Sequence, residues 1–515
     1  MHAANRVAKN TLILYARMGI TMFVSLYATR LVLAALGASD FGLFSVVGGA
    51  IAMLTFLNAA MTSASQRFMS YAQGEGDFSK QVKIFNVSVT MHILIGIALV
   101  GVLEIAGLFF FNGLLNIAPD RVDAAKIVYH FMVLSTFFTI ISVPYDAVVN
   151  AHENMLFVAI LGIVEALIKL SIALIIAYTV YDKLIIYALL MAVLSFIILI
   201  VRVIYSSRKY SEAKIIFANH IKQPLFKEMT SFAGWSFLSS SSSMFVEYGS
   251  RIILNHFFGT VLNAATGIAQ QLNGQLQSFS NIMLKALNPA IVKSEGANNR
   301  QLMLKASFMG TKISFFLFAI FTIPVIIEAP YILKLWLTEV PEWTVAFLRL
   351  IIIKTLLEQL YITIGISVDS TGKIREYKIY SAVVNMLYIL LIVTVFSMGF
   401  SPLWLLYFRI IIALFKGAIT LYYAGLYCQI DIILYLKNIV FPLIFTFVIT
   451  YFSIEFSIMF LHESFFKVII SFFISVFLYS LFTYIFTLNK AEKNLLIMFK
   501  DEIISRIIKK IYYKK

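Results

Sequence analysis

The chain of 515 residues is 61% hydrophobic and only 13% charged. A soluble domain of this length has no core large enough to enclose so much apolar surface, so a lipid bilayer must supply the remaining apolar environment. The formal net charge of +15 then reflects where basic residues lie relative to a membrane, and it does not indicate a nucleic-acid partner. The single cysteine, Cys428, excludes an intramolecular disulfide and a clustered-thiol metal site.

The chain begins with an apolar segment that follows Arg6 and Lys9 and that lacks a cleavage pattern, so we predict a retained first membrane helix. Five more spans complete a first six, a basic linker follows, and a second six and a final pair come after it. The predicted fold is an all-α integral membrane protein of about 14 transmembrane helices. The spans are roughly 11–36, 42–66, 84–112, 125–150, 156–179, 184–205, 230–257, 262–290, 302–328, 344–366, 376–397, 402–425, 436–459 and 465–488.

These spans predict five segments along the chain. The segments are an N-terminal six-helix bundle (1–205), a cytoplasmic linker (206–229), a C-terminal six-helix bundle (230–426), helices 13 and 14 (427–488) and a basic amphipathic cytoplasmic tail (489–515). With both termini in the cytoplasm, 25 Lys and Arg residues fall in inside segments and five in outside segments. This asymmetry follows the positive-inside rule and requires an even number of helices.

Two short motifs recur in equivalent places of the two six-helix groups. Glu75-Gly76-Asp77 is echoed by Glu295-Gly296-Ala297, displaced by 220 residues, and the stretch from Arg30 to Gly37 is echoed by that from Arg251 to Gly259. Since an even number of helices per unit gives both copies the same topology, we predict two parallel repeats with a central cavity.

The run Lys9-Asn10-Thr11, the segment from Arg30 to Gly37, the following Ser39-Asp40-Phe41-Gly42 and the second-half copy carry a family resemblance. The chain resembles the multidrug/oligosaccharidyl-lipid/polysaccharide exporter (MOP) superfamily, and within it the polysaccharide-type flippases that translocate undecaprenyl-linked O-antigen or capsule repeat units. The resemblance implies a V-shaped pair of six-helix bundles that work by alternating access. It also implies a bacterial cytoplasmic membrane and a lipid-linked glycan as substrate.

Charges within the predicted spans are the candidate functional residues. A charge near the bilayer midplane costs roughly 2.5 to 3.5 kcal/mol, so it should face a polar cavity or a partner. Snorkelling toward lipid phosphates accounts best for Arg202 and Lys285, which lie close to span ends. We expect seven cations to line the cavity, namely Arg17, Arg30, Arg251, Lys312, Lys354, Arg409 and Lys416.

We expect Arg17, Arg30 and Arg251 to engage a pyrophosphate or an acidic sugar, because a guanidinium fork matches a phosphate bidentately. In flippases of the superfamily, cavity arginines on these helices are thought to play that part. Candidate proton or ion sites are Asp146, Glu165 and Glu247, although Glu165 with Lys169 equally suits an internal pair four residues apart. Transport would then couple to an Na⁺ or H⁺ gradient or to the membrane potential, with no cofactor.

Two other functions remain open at this stage. A cation-coupled multidrug exporter would need acids in its cavity, yet the first span contains only arginine charges. A membrane glycosyltransferase or glycan polymerase would need a sizeable extramembrane loop, and the longest predicted outward loop, 329–343, is short. We therefore predict a carrier rather than an enzyme, with membrane lipids and other proteins of polysaccharide assembly as partners.

Overall fold

A computed structural model describes residues 2–54, 56–111, 117, 119–216, 224–337 and 340–494. No strand occurs in these ranges, which confirms the predicted all-α fold. The predicted amphipathic tail falls largely on 495–515, outside the described residues. The helices are α1 His2–Leu54, α2 Phe56–Glu75, α3 Phe78–Phe109, α4 Val122–Ala151, α5 Met155–Tyr178, α6 Lys183–Lys209, α7 Pro224–Phe258, α8 Thr260–Gly296, α9 Arg300–Ile327, α10 Ala329–Trp336, α11 Thr344–Gln359, α12 Ile362–Ser370, α13 Arg375–Ser397, α14 Trp404–Cys428, α15 Ile432–Tyr435, α16 Phe441–Ile458 and α17 Phe465–Phe482.

Ten helical stretches in the described ranges are long and apolar enough to cross a membrane, so the chain is a multi-pass membrane protein. The predicted spans 42–66, 230–257, 262–290 and 344–366 are not among the ten. Two of them lie on α7 and α8, which are rich in serine and carboxamide side chains, and one begins on α11, which has only 16 residues. Polarity, rather than length, therefore keeps α7 and α8 out of the ten apolar stretches.

The helices group into two compact units that do not follow chain order. The first unit holds 1–249, 282–307 and 365–387, and the second holds 250–281, 308–364 and 388–515. Helices α7, α8, α9, α12 and α13 therefore contribute residues to both units. The predicted division into two sequential six-helix bundles stays a prediction.

In the first unit, α1 packs along α5, while α4 packs against α2, α3 and α6. Phe68, Phe85, Tyr145 and Phe232 belong to its largest apolar cluster, with edge-to-face contacts between Phe68 and Phe232 and between Phe85 and Tyr145. Such aromatic pairs stabilise packing beyond their buried area. In the second unit, α11 packs against α14, and α16 packs against α17.

Backbone geometry supports the internal repeat with a displacement of 222 residues. Gly37 and Gly259 both have left-handed backbone, with φ of 76° and 79°, and Gly37 kinks α1. Gly76 (φ 74°) is matched 222 residues later by Asn298 (φ 55°). Glycine and asparagine are the residues that adopt this conformation most easily. The turn after α2 thus corresponds to the turn after α8, two residues further on than the motif comparison suggested.

The ends of α2 and α8 cross reciprocally within the first unit. A Cβ atom on Gly74 would lie 2.0 Å from the carbonyl oxygen of Lys293, and one on Gly296 would lie 2.0 Å from that of Tyr71. The residue numbers of Gly74 and Gly296 differ by 222, and so do those of Tyr71 and Lys293. The two contacts are therefore related by a local two-fold relation, and only glycine permits this backbone approach.

Candidate functional site

Four charged side chains from four helices form a cluster in the first unit, which we call the cation cluster: Arg17 of α1, Asp146 of α4, Arg202 of α6 and Lys285 of α8. Arg202 Nη1 lies 2.9 Å from Asp146 Oδ2. Asp146 also interacts electrostatically with Lys285 and Arg17, and Lys285 is repelled as a like charge by Arg17 and by Arg202. All four residues lie about one to four turns inside the nearer helix ends.

The cation cluster carries an excess of positive charge. Within the residues that the structure describes, Arg17, Arg202 and Lys285 share the carboxylate of Asp146, which leaves two positive charges of this group unbalanced. The neighbouring Glu165 does not supply the difference, because its Oε1 already lies 2.7 Å from Lys169 Nζ. Cations that repel each other in a medium of reduced dielectric constant favour the arrival of an anion. The exposed Lys285 side chain is available to meet one.

Gly162 of α5 makes room for the guanidinium of Arg17. A Cβ atom at this position would lie 2.2 Å from Arg17 Nε and 2.6 Å from Nη2. The guanidinium therefore rests on bare helix backbone, and any larger residue would displace it. We did not predict this role; the available signal was a lone glycine that interrupts the apolar fifth span.

Arg202 is held by α4 as well as by Asp146. Its Nη1 donates a hydrogen bond to Ser142 Oγ at 2.6 Å, while its buried Nε has no hydrogen-bond partner among the described residues. The sequence favoured snorkelling for Arg202 and Lys285, yet the structure brings both into the cation cluster. Their helices converge with α1 and α4 there, which linear spacing does not reveal.

Two expected cavity cations are enclosed in the second unit. Lys312 of α9 is 6% exposed, and its Nζ lies 2.8 Å from Glu492 Oε2 and donates to the Thr487 carbonyl oxygen at 3.0 Å. Arg409 of α14 is 9% exposed and donates to Tyr388 Oη at 3.1 Å and to Ser250 Oγ at 2.8 Å. Both cations thus contact protein groups in the described structure, and their place in a cavity stays a prediction.

The other expected site residues are dispersed. Arg30 is exposed on α1, about 20 Å along the helix from Arg17, so these two do not share a site. Lys354 Nζ lies 2.7 Å from Glu358 Oε2 on the next turn of α11. Arg251 donates a hydrogen bond to the Gln270 side-chain oxygen. Lys416 of α14 and Glu247 of α7 are both half-buried.

A second charge network, absent from the predictions, joins two helix-connecting segments of the first unit. Arg121 Nη2 lies 2.5 Å from Asp40 Oδ2, and Arg121 Nη1 lies 2.6 Å from Asp182 Oδ2. Asp182 also caps α6 by accepting hydrogen bonds from the N–H groups of Leu184 and Ile185. Two carboxylates flank one guanidinium here, so this site is already saturated with negative charge.

Arg67 joins α2 to the C-terminal end of α12 within the first unit. Its Nη2 donates to the Ser370 carbonyl oxygen at 2.7 Å, and its guanidinium lies over the rings of Phe68, Tyr71 and Phe232. The sequence placed Arg67 in an inside loop, whereas the structure buries it. Among the described residues, no group of three or more His, Cys, Asp or Glu side chains is placed to hold a metal ion.

Solved transporters share this fold. A variant of a Vibrio cholerae MATE transporter matches with a TM-score of 0.66 and 16% identity over 84% of this chain and 98% of that one. A MATE multidrug resistance transporter of the MOP superfamily in an outward-facing conformation gives 0.66 and 13% over 84% and 96%. A Pyrococcus furiosus MOP superfamily transporter gives 0.64 and 13% over 83% and 96%. The fold is therefore that of the MATE transporters.

The family model described as polysaccharide biosynthesis protein matches residues 7–295. The chain belongs to this family, and the predicted resemblance to polysaccharide-type members of the MOP superfamily is confirmed. Family and fold together indicate a transporter rather than a catalytic enzyme. No curated protein sequence matches the chain.

Proposed function

We propose that this protein flips a lipid-linked oligosaccharide repeat unit, carried on a polyprenyl pyrophosphate, across the bacterial cytoplasmic membrane by alternating access. The product would feed cell-surface polysaccharide biosynthesis, in agreement with the family to which the chain belongs. The observation that carries the proposal is the cation cluster, in which Arg17, Arg202 and Lys285 share one carboxylate.

A pyrophosphate suits this cluster in charge and in geometry. Arginine presents a planar fork of donors that matches phosphate oxygens, and lysine supplies a compact point charge. Hydrogen bonds between charged partners are roughly twice as strong as neutral ones. A dianionic headgroup would balance the two unmatched positive charges, with Arg17 and Lys285 as the primary contacts and Arg202 oriented by Asp146 and Ser142.

Export of cationic drugs receives less support from the same site. Asp146 is paired with Arg202 and Glu165 with Lys169, so both carboxylates already have a cationic partner that would compete with a cationic drug. The Pyrococcus furiosus transporter is described as having a binding pocket of reversed polarity that suggests a different function. Pocket polarity is thus a property to test in this chain as well.

Coupling and partners complete the proposal. Asp146 is the candidate proton or ion site, because protonation would release Arg202 and raise the positive charge available to the headgroup. An Na⁺ or H⁺ gradient or the membrane potential would then drive the cycle, with both termini in the cytoplasm. Membrane lipids and other proteins of polysaccharide assembly would be the partners, with no cofactor required.

The test is a deletion strain complemented with plasmid-borne variants. We expect lipid-linked repeat units to accumulate on the cytoplasmic leaflet without the gene, and wild-type protein to clear them. The triple variant Arg17→Gln, Arg202→Gln, Lys285→Gln should fail to clear them, because each charge-assisted contact contributes about 1.5 to 3 kcal/mol. Its transport should fall by more than about 100-fold.

The matched control replaces three exposed lysines outside the cluster, Lys83, Lys214 and Lys373, with glutamine. It removes the same number of positive charges and should clear the glycolipid like wild type at equal membrane level. Equal export by the triple variant and the control would refute the assignment of the site. Loss of drug export without glycolipid accumulation would favour the exporter, and shortened glycan chains with normal flipping would favour a polymerase.

A further inference from the structure

Helix α8 differs from other helices in what it exposes. Between residues 262 and 281, its exposed positions are Gln271, Gly274, Gln275 and Asn281, and no large apolar side chain among the described residues of this stretch is exposed. In the same unit, α14 exposes Tyr407, Ile411, Leu414, Phe415, Tyr422 and Leu426. Helix α14 therefore has a surface suited to lipid, and this part of α8 has a surface suited to polar contact.

The exposed positions of α8 share one face. At 3.6 residues per turn, Gln271, Gly274, Gln275, Ser278 and Asn281 fall on a stripe about 15 Å long, which we call the amide stripe. The Ser278 hydroxyl donates to the Gly274 carbonyl oxygen at 2.9 Å and keeps its lone pairs. Apart from its chain neighbours and the local helix backbone, no described atom comes within 4 Å of a Cβ position on Gly274, so a sugar ring has room to approach the helix.

Two polar side chains beside the stripe have partners within the described residues, whereas the three exposed amides on it have none. Gln270 accepts a hydrogen bond from Arg251, and Ser280 Oγ donates to Gln359 Oε1 at 2.7 Å. For Gln271, Gln275 and Asn281, no side-chain hydrogen bond occurs within the part of the chain that the structure describes. An unpaired amide moved from water into hydrocarbon costs roughly 2 to 7 kcal/mol. The stripe therefore faces water or a polar ligand.

The chemistry of the stripe selects the ligand. Each carboxamide offers two donors and one acceptor oxygen without net charge. Sugar hydroxyls also donate and accept, so they match such groups in pairs. No titratable residue lies between Gln271 and Asn281, and the stripe therefore has no means of recognising phosphate or an acidic group by charge.

We propose that the amide stripe binds the uncharged sugar rings of the translocated glycan, with Gln271, Gln275 and Asn281 as hydrogen-bonding residues. This inference rests on the proposed function and assigns glycan recognition to the stretch of α8 that precedes Lys285 of the cation cluster. It places specificity for the sugar in the second unit, since 250–281 belongs to that unit.

The test uses full-length protein in nanodiscs and lipid-linked glycan extracted from cells that lack the gene. The variant Gln271→Leu, Gln275→Leu should bind this glycolipid about tenfold more weakly or worse, because two neutral hydrogen bonds of about 1 kcal/mol each are lost. The conservative variant Gln271→Asn, Gln275→Asn keeps both amides and should retain most of the affinity. Polyprenyl pyrophosphate without sugar should bind the leucine variant as it binds wild type.

The outcomes separate the two proposals. Unchanged affinity of the leucine variant for the glycolipid would overturn the amide stripe while leaving the flippase intact. Equal losses for the glycolipid and for the sugar-free carrier would also overturn it, since the effect would then not involve sugar. Wild-type protein that binds neither ligand would instead overturn the proposed function.

Discussion

Two groups of cations within the helices differ in their counter-groups, although hydropathy treats them alike. Arg17, Arg202 and Lys285 of the first unit share one carboxylate. In the second unit, Lys312 pairs with the carboxylate of Glu492, and Arg409 donates hydrogen bonds to two hydroxyl groups. The comparison teaches that depth in the membrane does not by itself make a cation functional. We expect the ratio of cations to their counter-groups to separate a binding site from a structural pair.

The physical reason is the desolvation energy of a buried charge. In a buried ion pair such as Lys312 with Glu492, the attraction between the two charges offsets their desolvation energy. Removal of one partner leaves the other charge buried alone and destabilises the fold. A cluster with more cations than carboxylates keeps an unfavourable electrostatic energy, and an anionic ligand can lower it. Substitutions in structural pairs should therefore lower the stability of the protein, and substitutions in the cation cluster should lower its transport rate.

The largest effect is expected from breaking the Lys312 pair. The variant Lys312→Met leaves the Glu492 carboxylate buried without its partner and should destabilise the protein by about 3 to 5 kcal/mol. Thermal unfolding in detergent measures the loss. The double variant Lys312→Met, Glu492→Gln should regain much of it, because no unpaired charge remains.

The matched control is Lys354→Met, which breaks the partly exposed Lys354–Glu358 pair of α11. Pairs four residues apart on a helix contribute about 0.3 to 0.5 kcal/mol, so its melting temperature should change little. A fully stable Lys312→Met protein that no longer transports would break the comparison and return Lys312 to the binding site.

An intermediate effect is expected at Gly162. The variant Gly162→Ala places a methyl group against the Arg17 guanidinium and should lower transport roughly tenfold, the loss of one charge-assisted contact. Stability should not fall, because alanine is favoured over glycine in a helix by about 1 kcal/mol. Flux of fluorescently labelled glycolipid in proteoliposomes measures the change. Gly101→Ala on α3, which meets no atom within 4 Å, should transport normally.

The smallest effect is expected at Asp182, which neutralises Arg121. Burial alone would raise the pKa of Asp182, but hydrogen bonds from Arg121 and from the N–H groups of Ile185 and Leu184 outweigh it and lower the pKa. A carboxyl with a lowered pKa adds stability above its unfolded pKa of about 3.9, and that stability is lost as the pH falls through the folded value. Because the side chain is 32% exposed, we expect a contribution below about 1 kcal/mol.

Melting curves between pH 7 and about pH 3 test this sign. The variant Asp182→Asn should melt lower than wild type at pH 7, and the difference should shrink as the pH falls. A difference that grows on acidification would contradict the ion pair. A transport defect at unchanged stability would show that Arg121, although paired with two carboxylates, belongs with the cations that act in transport.

Several features could be predicted from the sequence because they depend on local chemistry. Apolar runs indicated the helices, and recurrence of the segment from Arg30 to Gly37 indicated the repeat. The pairing of Glu165 with Lys169 followed from their spacing on one helix. The displacement between the two repeats could be assigned only from backbone geometry, because Asn298 has the left-handed conformation that Gly76 has in the first repeat.

The candidate site was only partly predictable. Arg17 and Asp146 were recognised as membrane charges, but their association with Arg202 and Lys285 depends on how α1, α4, α6 and α8 converge. Gly162 could hardly be recognised from the sequence, because it leaves room for the side chain of Arg17, which lies 145 positions earlier in the chain. The amides of α8 were hidden within a predicted span, since averaging hydropathy over a window conceals which face is polar.

The amino-acid sequence by itself determined that this chain is a helical membrane protein with a duplicated plan and too many positive charges at membrane depth. These properties follow from transfer energies and helix periodicity, which act residue by residue. Only the tertiary structure decided which cations are balanced and which are not. That distinction depends on distances between helices far apart in sequence, and electrostatic energy in a medium of low dielectric constant changes steeply with such distances.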